Sequence, residues 1–140
     1  MSVLLLDASV WLAAVDRRDP HHAAAQALVR PGPCECELAA LDLTVFEVAN
    51  VAIKRWRSIE RAYALIELVE IGAAGNLERV DGETAGVTID LAAEHGLTAY
   101  DAAYLAIARR RGWTLVSCDF ADLVDPGHAV GPSDIAMISV

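Results

Sequence analysis

The chain has 140 residues, of which 55% are hydrophobic and 22% charged, with a formal net charge of −9. This composition argues for a folded globular chain long enough to bury a core and fitting a single domain over 1–140, and against intrinsic disorder. The acidic balance also argues against a general nucleic-acid coat, which needs many Lys and Arg side chains to neutralise phosphates.

Val3 to Leu6 is a continuous apolar run ending at Asp7, the pattern of a central strand covered on both faces. The wider apolar run to Val15 resembles an export signal only superficially. It has no basic flank and carries Asp7 at its middle, and no other stretch approaches the length needed to span a bilayer, so a soluble, cytoplasmic chain is expected. Ser9 to about Val15 reads as a helix. Asp19-Pro20 opens another that runs to about Arg30 and is stopped by Pro31-Gly32-Pro33. A short strand is expected near Glu37 to Ala40.

From about Thr44 the segment LTVFEVANVAIKRWR repeats Val45, Val48, Ala49, Ala52 and Ile53 at helical spacing, and Thr44-x-x-Glu47 has the form of a capping box. Ile59 to Ile71 predicts another helix, Leu77 to Val80 a short strand, and Glu83 to His95 a helix stopped by Gly96. LTAYDAAYLAIARRRG then reads as a helix apolar on nearly every side, with Tyr100, Ala102, Ala103 and Tyr104 as expected core. Its single early carboxylate, Asp101, stands three residues after Thr98. Trp113 to Cys118 predicts a strand ending at Asp119, Phe120 to Ser133 a loop, and Ile135 to Val140 a last strand. Strands alternating with helices imply a mainly parallel sheet flanked on both faces, a three-layer α/β sandwich.

Cys34, Cys36 and Cys118 lack zinc-site spacing and are expected to be reduced thiols; His21-His22 fits a solvated helix start better than a metal site. Two basic segments interrupt the acidic chain. Lys54, Arg55, Arg57 and Arg61 form one and Arg109 to Arg111 another, the latter at a helix end where cations complement the dipole, and a local phosphate-binding role is open to both.

Sheets of this kind bind ligands at the carboxyl ends of their strands, where the following helices begin. That rule selects four acids: Asp7 and Asp119 directly after strands, Glu47 and Asp101 near helix starts. Each has a local explanation, as a turn or a cap. Gathered together they repel, by ~4 kcal/mol for two unit charges ~4 Å apart at an effective dielectric of ~20, and a cation reverses that sign. Hard divalent ions such as Mg²⁺ and Mn²⁺ prefer oxygen ligands and assist phosphoryl chemistry.

LLLDASVWL, FEVANV and LTAYDAAYLAIARRRGWTLVSCD, in this order and spacing, resemble the PIN-domain proteins, most closely VapC-type toxins of bacterial toxin–antitoxin modules. The resemblance covers nearly the whole chain, and YDAAYLA is its most specific part. It implies a parallel sheet between helices, a homodimer, and Mg²⁺- or Mn²⁺-dependent endoribonuclease activity on an RNA substrate. It further implies restraint by an antitoxin that places a basic side chain at the acidic pocket. By matched position, Asp7 and Asp101 become the principal metal ligands, with Glu47 and Asp119 completing the acidic site. Ser9, Asn50 and Ser117 support them, and Asp122 is left outside the set.

Two other readings remain open. A metal-dependent phosphohydrolase of small phosphate esters is weakened because Ser9, not Asp, stands two residues after the strand-end acid of a haloacid-dehalogenase pattern. Lys54 is the only lysine, which weakens a response-receiver reading as well. A noncatalytic acidic module that docks a basic peptide is opposed by the presence of all four acids.

Overall fold

The computed structural model describes residues 2–30 and 36–138. Its elements, in chain order, are β1 (Ser2–Leu6), α1 (Ala8–Val15), α2 (His22–Val29), β2 (Cys36–Leu41), α3 (Asp42–Lys54), α4 (Ile59–Gly72), β3 (Leu77–Glu78), α5 (Gly82–His95), α6 (Ala99–Arg111), β4 (Thr114–Val116) and α7 (Pro132–Ile138), with one wide π-type turn at Phe120–Val124.

The strands pair in the order β3-β2-β1-β4, all parallel, with Leu4 opposite Leu38 on one side and opposite Thr114 on the other. The chain builds outward from β1 through β2 to β3, then returns to add β4 on the opposite side of β1. The reversal leaves a crevice between the carboxyl ends of β1 and β4.

Strand alternation divides the core. Leu4 and Leu6 pack with α1, α3 and α4, whereas Leu5 packs with α6 and with Leu91 of α5. Three layers result, as the alternation of elements implies. α6 is buried from Ala102 through Ala108, which explains its lack of a polar stripe. Tyr100, expected in that core, is instead 63% exposed, because it precedes the part of the helix that the sheet covers.

Three other expectations need correction. α3 begins at Asp42, and Thr44 is its third residue, with its Oγ1 accepting from the Leu41 N–H at 3.0 Å. Thr44 is therefore not the N-cap, and Glu47 falls in the second turn rather than the first. The expected final strand is the helix α7: Pro132 suits a first helical turn, and the Asp134 carboxylate accepts from the Gly131 N–H. A strand-like contact does form earlier, within the expected loop, where Val130 bridges to Val116 in parallel. Cys34 and the Pro31-Gly32-Pro33 stop lie outside the described residues.

α4 reaches the core through a glycine. A Cβ on Gly72 would stand 2.8 Å from Cη2 and 3.0 Å from Cζ3 of Trp11, a ring with no exposed surface. Gly72→Ala is expected to destabilise the fold by about 1–3 kcal/mol, the usual cost of overpacking, measured by urea denaturation.

Candidate active site

Asp7 continues the extended backbone of β1 for one residue (φ −77°, ψ 174°) before α1 begins. Strand alternation puts it on the Leu5 side of the sheet, facing α6. It is only 4% exposed. The hydroxyls of Ser9 and Ser117 donate to its carboxylate, and the Cys118 N–H donates to Ser9 Oγ at 2.9 Å. The ends of β1 and β4 are thus tied around one buried acid.

Burial is the largest influence on Asp7 and raises its pKa to about 6; the serine hydroxyls oppose the rise and the charge of Asp101 adds to it. Burial of the Cys118 thiol, reinforced by Asp7, pushes its pKa up to about 12, so it supplies no thiolate nucleophile near neutral pH.

Asp101 is the third residue of α6, and Thr98 is the N-cap, its Oγ1 accepting from the Asp101 N–H at 3.1 Å. The Thr98 N-cap read from the sequence is therefore present. The Asp101 carboxylate is half-buried, and its pKa is raised by burial and then by the charges of Asp119 and Asp122, against the hydrogen bond from Thr98. Carboxylate oxygens of Asp101, Asp119 and Asp122 lie within 4.8 Å of one another.

Asp119 also serves a local turn, its Oδ1 accepting from the Asp122 N–H at 3.0 Å, while its own N–H donates to Ser117 Oγ at 2.9 Å. That wide turn brings Asp122 into the acidic group from which sequence reasoning excluded it. A carboxylate three residues beyond a strand-end Asp was the available signal.

Glu47 reaches the group from α3. Tyr104, buried in α6, donates its hydroxyl to Glu47 Oε1 at 2.7 Å and lies 2.7 Å from Thr44 Oγ1. Because the phenol proton is committed to Glu47, Thr44 donates to the phenol oxygen while accepting from the Leu41 N–H. The relay locks α3 to α6 and fixes one oxygen of Glu47. Burial raises the Glu47 pKa to about 6; the Tyr104 bond opposes this, and Asp7 and Asp101 add to it. Sequence reasoning placed Tyr104 in the core and missed this second role.

The structure thus groups Asp7, Glu47 and Asp101 within electrostatic reach, and Asp101, Asp119 and Asp122 in closer contact, with Asp101 common to both sets. Ser9 and Ser117 join the network. Asn50 is exposed one turn beyond Glu47 and makes no hydrogen bond to the group. His21 and His22 are occupied elsewhere, by the Phe120 ring and the Ala13 carbonyl.

Residues 4–122 match the PIN domain, and the chain belongs to that family. Among its relatives, Ribonuclease VapC3 of Pyrobaculum aerophilum is 38% identical over 88 residues, an alignment spanning 59% of this chain and 66% of that protein, just under two thirds of its length. The fold is similar to PAE2754 from Pyrobaculum aerophilum, at a TM-score of 0.70 and 25% identity over 98% of this chain and 94% of that one. It is also similar to Mycobacterium tuberculosis VapC20, described as a sarcin-ricin loop cleaving toxin, at a TM-score of 0.70 and 18% identity over 89% and 95% of the two chains. A toxin-antitoxin complex from Klebsiella pneumoniae matches at a TM-score of 0.67 and 20% identity, over 92% and 97%.

Two outcomes follow from this geometry. A carboxylate whose pKa is raised by folding contributes stability at pH below its unfolded value and loses it as pH rises through the folded value. For Asp7 the window runs from about 3.8 to about 6, and the shift corresponds to about 3 kcal/mol. Without added metal, Asp7→Asn should raise the melting temperature at pH 7, and this gain over wild type should vanish near pH 4 in a thermal-denaturation series. Tyr104→Phe removes the donor to Glu47 and strands the Thr44 proton, and should cost about 1–3 kcal/mol in urea denaturation.

Proposed function

We propose that the chain is a metal-dependent endoribonuclease and the toxin component of a toxin–antitoxin module. The observation that carries this reading is the convergence of Asp7, Glu47 and Asp101, from three separate elements, at the crevice between β1 and β4, with pKa values raised by burial and by one another. The ribonuclease relative and the toxin folds support the same reading.

The donor set fits a hard divalent cation. It is all oxygen, it is charged, and it lacks a compensating basic side chain, since neither ion pair among the described residues involves these acids. Asp7 and Asp101 would hold Mg²⁺ or Mn²⁺, with Asp119 completing the site and Asp122 beside it. Such an ion, when bound, stabilises charge on a phosphoryl oxygen and makes water more acidic.

The side chains divide the remaining work. Ser9 and Ser117 hold Asp7 in one orientation, and the Thr98 cap aims Asp101 at the crevice while the positive end of α6 favours its charged form. Tyr104 engages Oε1 of Glu47 and leaves Oε2 to position, and accept a proton from, a water attacking phosphorus in line, while the opposite P–O bond breaks and the departing ribose oxygen is protonated by solvent. Cleavage then needs no covalent nucleophile. A cognate antitoxin carrying a basic side chain would neutralise the same carboxylates, and the functional unit is a homodimer located in the cytoplasm.

The test is incubation of purified, partner-free protein with cellular RNA in Mg²⁺, Mn²⁺ or EDTA, beside Asp7→Ala and Asp101→Asn. Cleavage should require a metal, and either variant should slow it by at least about 100-fold, the scale of losing a principal transition-state contact. Equal cleavage by the variants would remove these acids from the chemistry, and no cleavage with either metal would leave a noncatalytic acidic binding module as the better account.

A further inference from the structure

The two basic segments of the chain have different fates. At the end of α6, Arg111 makes a bidentate pair with Glu78 at 2.8 Å and Arg110 donates to Thr84 Oγ1 at 3.2 Å, so that segment fastens α6 to β3 and α5. Lys54, Arg55, Arg57 and Arg61, at the turn from α3 into α4, are all exposed, and among the described residues none of their side chains forms an ion pair or a hydrogen bond. Between residues 54 and 61 Glu60 is the only acid, so this turn is cationic on a chain of net charge −9.

Three further features mark the turn. Arg57 holds a left-handed backbone, φ 55°, a conformation that favours glycine. Arg61 stacks its guanidinium over Trp56 at 4.5 Å, which fixes a cation and an aromatic face together. Tyr63, one turn into α4, is 71% exposed. The turn is also connected to the acidic site. Glu47, Asn50 and Lys54 fall at i, i+3 and i+7 on one stripe of α3, and Lys54 is roughly 10 Å along the helix from Glu47. Phe46, beside Glu47, is 76% exposed.

We infer that the α3–α4 turn is the backbone-tracking surface for the RNA, gripping phosphates with Lys54, Arg55 and Arg57 and presenting Tyr63 to an unstacked base, so that a single strand runs along α3 to the carboxylates. The inference rests on the ribonuclease reading and names the part of the chain that binds substrate away from the reacting phosphate. The charge pattern suits a polyanion, because four unpaired cations on an acidic protein attract phosphate locally while the remaining surface repels it. Exposed aromatic faces next to cations suit single strands, whose bases stack without sequence preference. Ile53 and Ile59 are also exposed beside the turn, but the unpaired cations around them select a polyanion, so the occupant argued for is single-stranded RNA.

The test separates this surface from catalysis. Binding of a fluorescein-labelled single-stranded RNA to Asp101→Asn protein in EDTA is followed by anisotropy across a salt series, with and without Lys54→Ala/Arg55→Ala/Arg57→Ala. Loss of three phosphate contacts should weaken binding 10- to 100-fold at moderate salt and flatten the slope of log K against log salt by about 2. In Asp101-intact protein the triple variant should show its defect in KM more than in kcat. Arg57→Gly controls for folding: it should melt no lower than wild type yet bind RNA several-fold more weakly. Unchanged affinity and slope in the triple variant would overturn the inference, as would binding of an acidic peptide but not RNA at this turn. Cleavage lost in every protein with the salt effect retained would instead defeat the ribonuclease reading and leave the RNA surface standing.

Discussion

Asp7 is an ionisable group with almost no exposed surface, set at the end of the central strand and surrounded by other carboxylates. Its position follows from the strand order: β1 lies between β2 and β4, so whatever follows β1 is enclosed by both neighbours and by α6. The same enclosure that buries Leu5 and Leu6 buries Asp7 one residue later. Two serine hydroxyls relieve part of the desolvation and the rest remains as a raised pKa. A site of this kind opposes folding in the absence of a cation, and the two apolar clusters on either side of the sheet must offset it.

Much of the surrounding structure can be understood as holding acids near that point without letting them turn away. Thr98 caps α6 and thereby orients Asp101. Thr44 reaches back to the Leu41 N–H, and its hydroxyl proton goes to Tyr104, whose own proton goes to Glu47. The helix starts and the acidic site therefore share hydrogen bonds. Local stability and site geometry are not competing explanations for these residues, because one set of bonds serves both.

Charge is segregated along α3. Its early turns carry Glu47 toward the carboxylates, and its end carries Lys54 into a turn with three arginines. Net charge alone would set this acidic protein against a polyanion, yet screening limits such repulsion to about 8–10 Å at physiological salt, so the local sign at the contact decides. An acidic centre and a cationic turn roughly 10 Å away along one helix can then act on different parts of one chain molecule.

The sequence by itself determined the alternation of strands and helices, and hence a parallel sheet with its ligand crevice at the strand ends, because apolar runs, caps and stops are local signals. It also singled out Asp7, Glu47, Asp101 and Asp119, which the structure brings toward one rim together with Asp122, and the N-cap at Thr98 was legible as it stands. Local patterns could not decide where α3 begins, since Thr44 serves equally as an N-cap or as the third residue of a helix starting at Asp42. Nor could they place the last segment, whose apolar residues suit a strand until Pro132 and Asp134 start a helix. Tertiary structure alone decided that Tyr104 would orient Glu47 across 57 positions of chain, that the turn after β4 would bring in Asp122, and that one arginine cluster would be ion-paired while the other, among the described residues, forms no ion pair. Each of these depends on contacts between elements distant in sequence, which packing selects and no local period encodes.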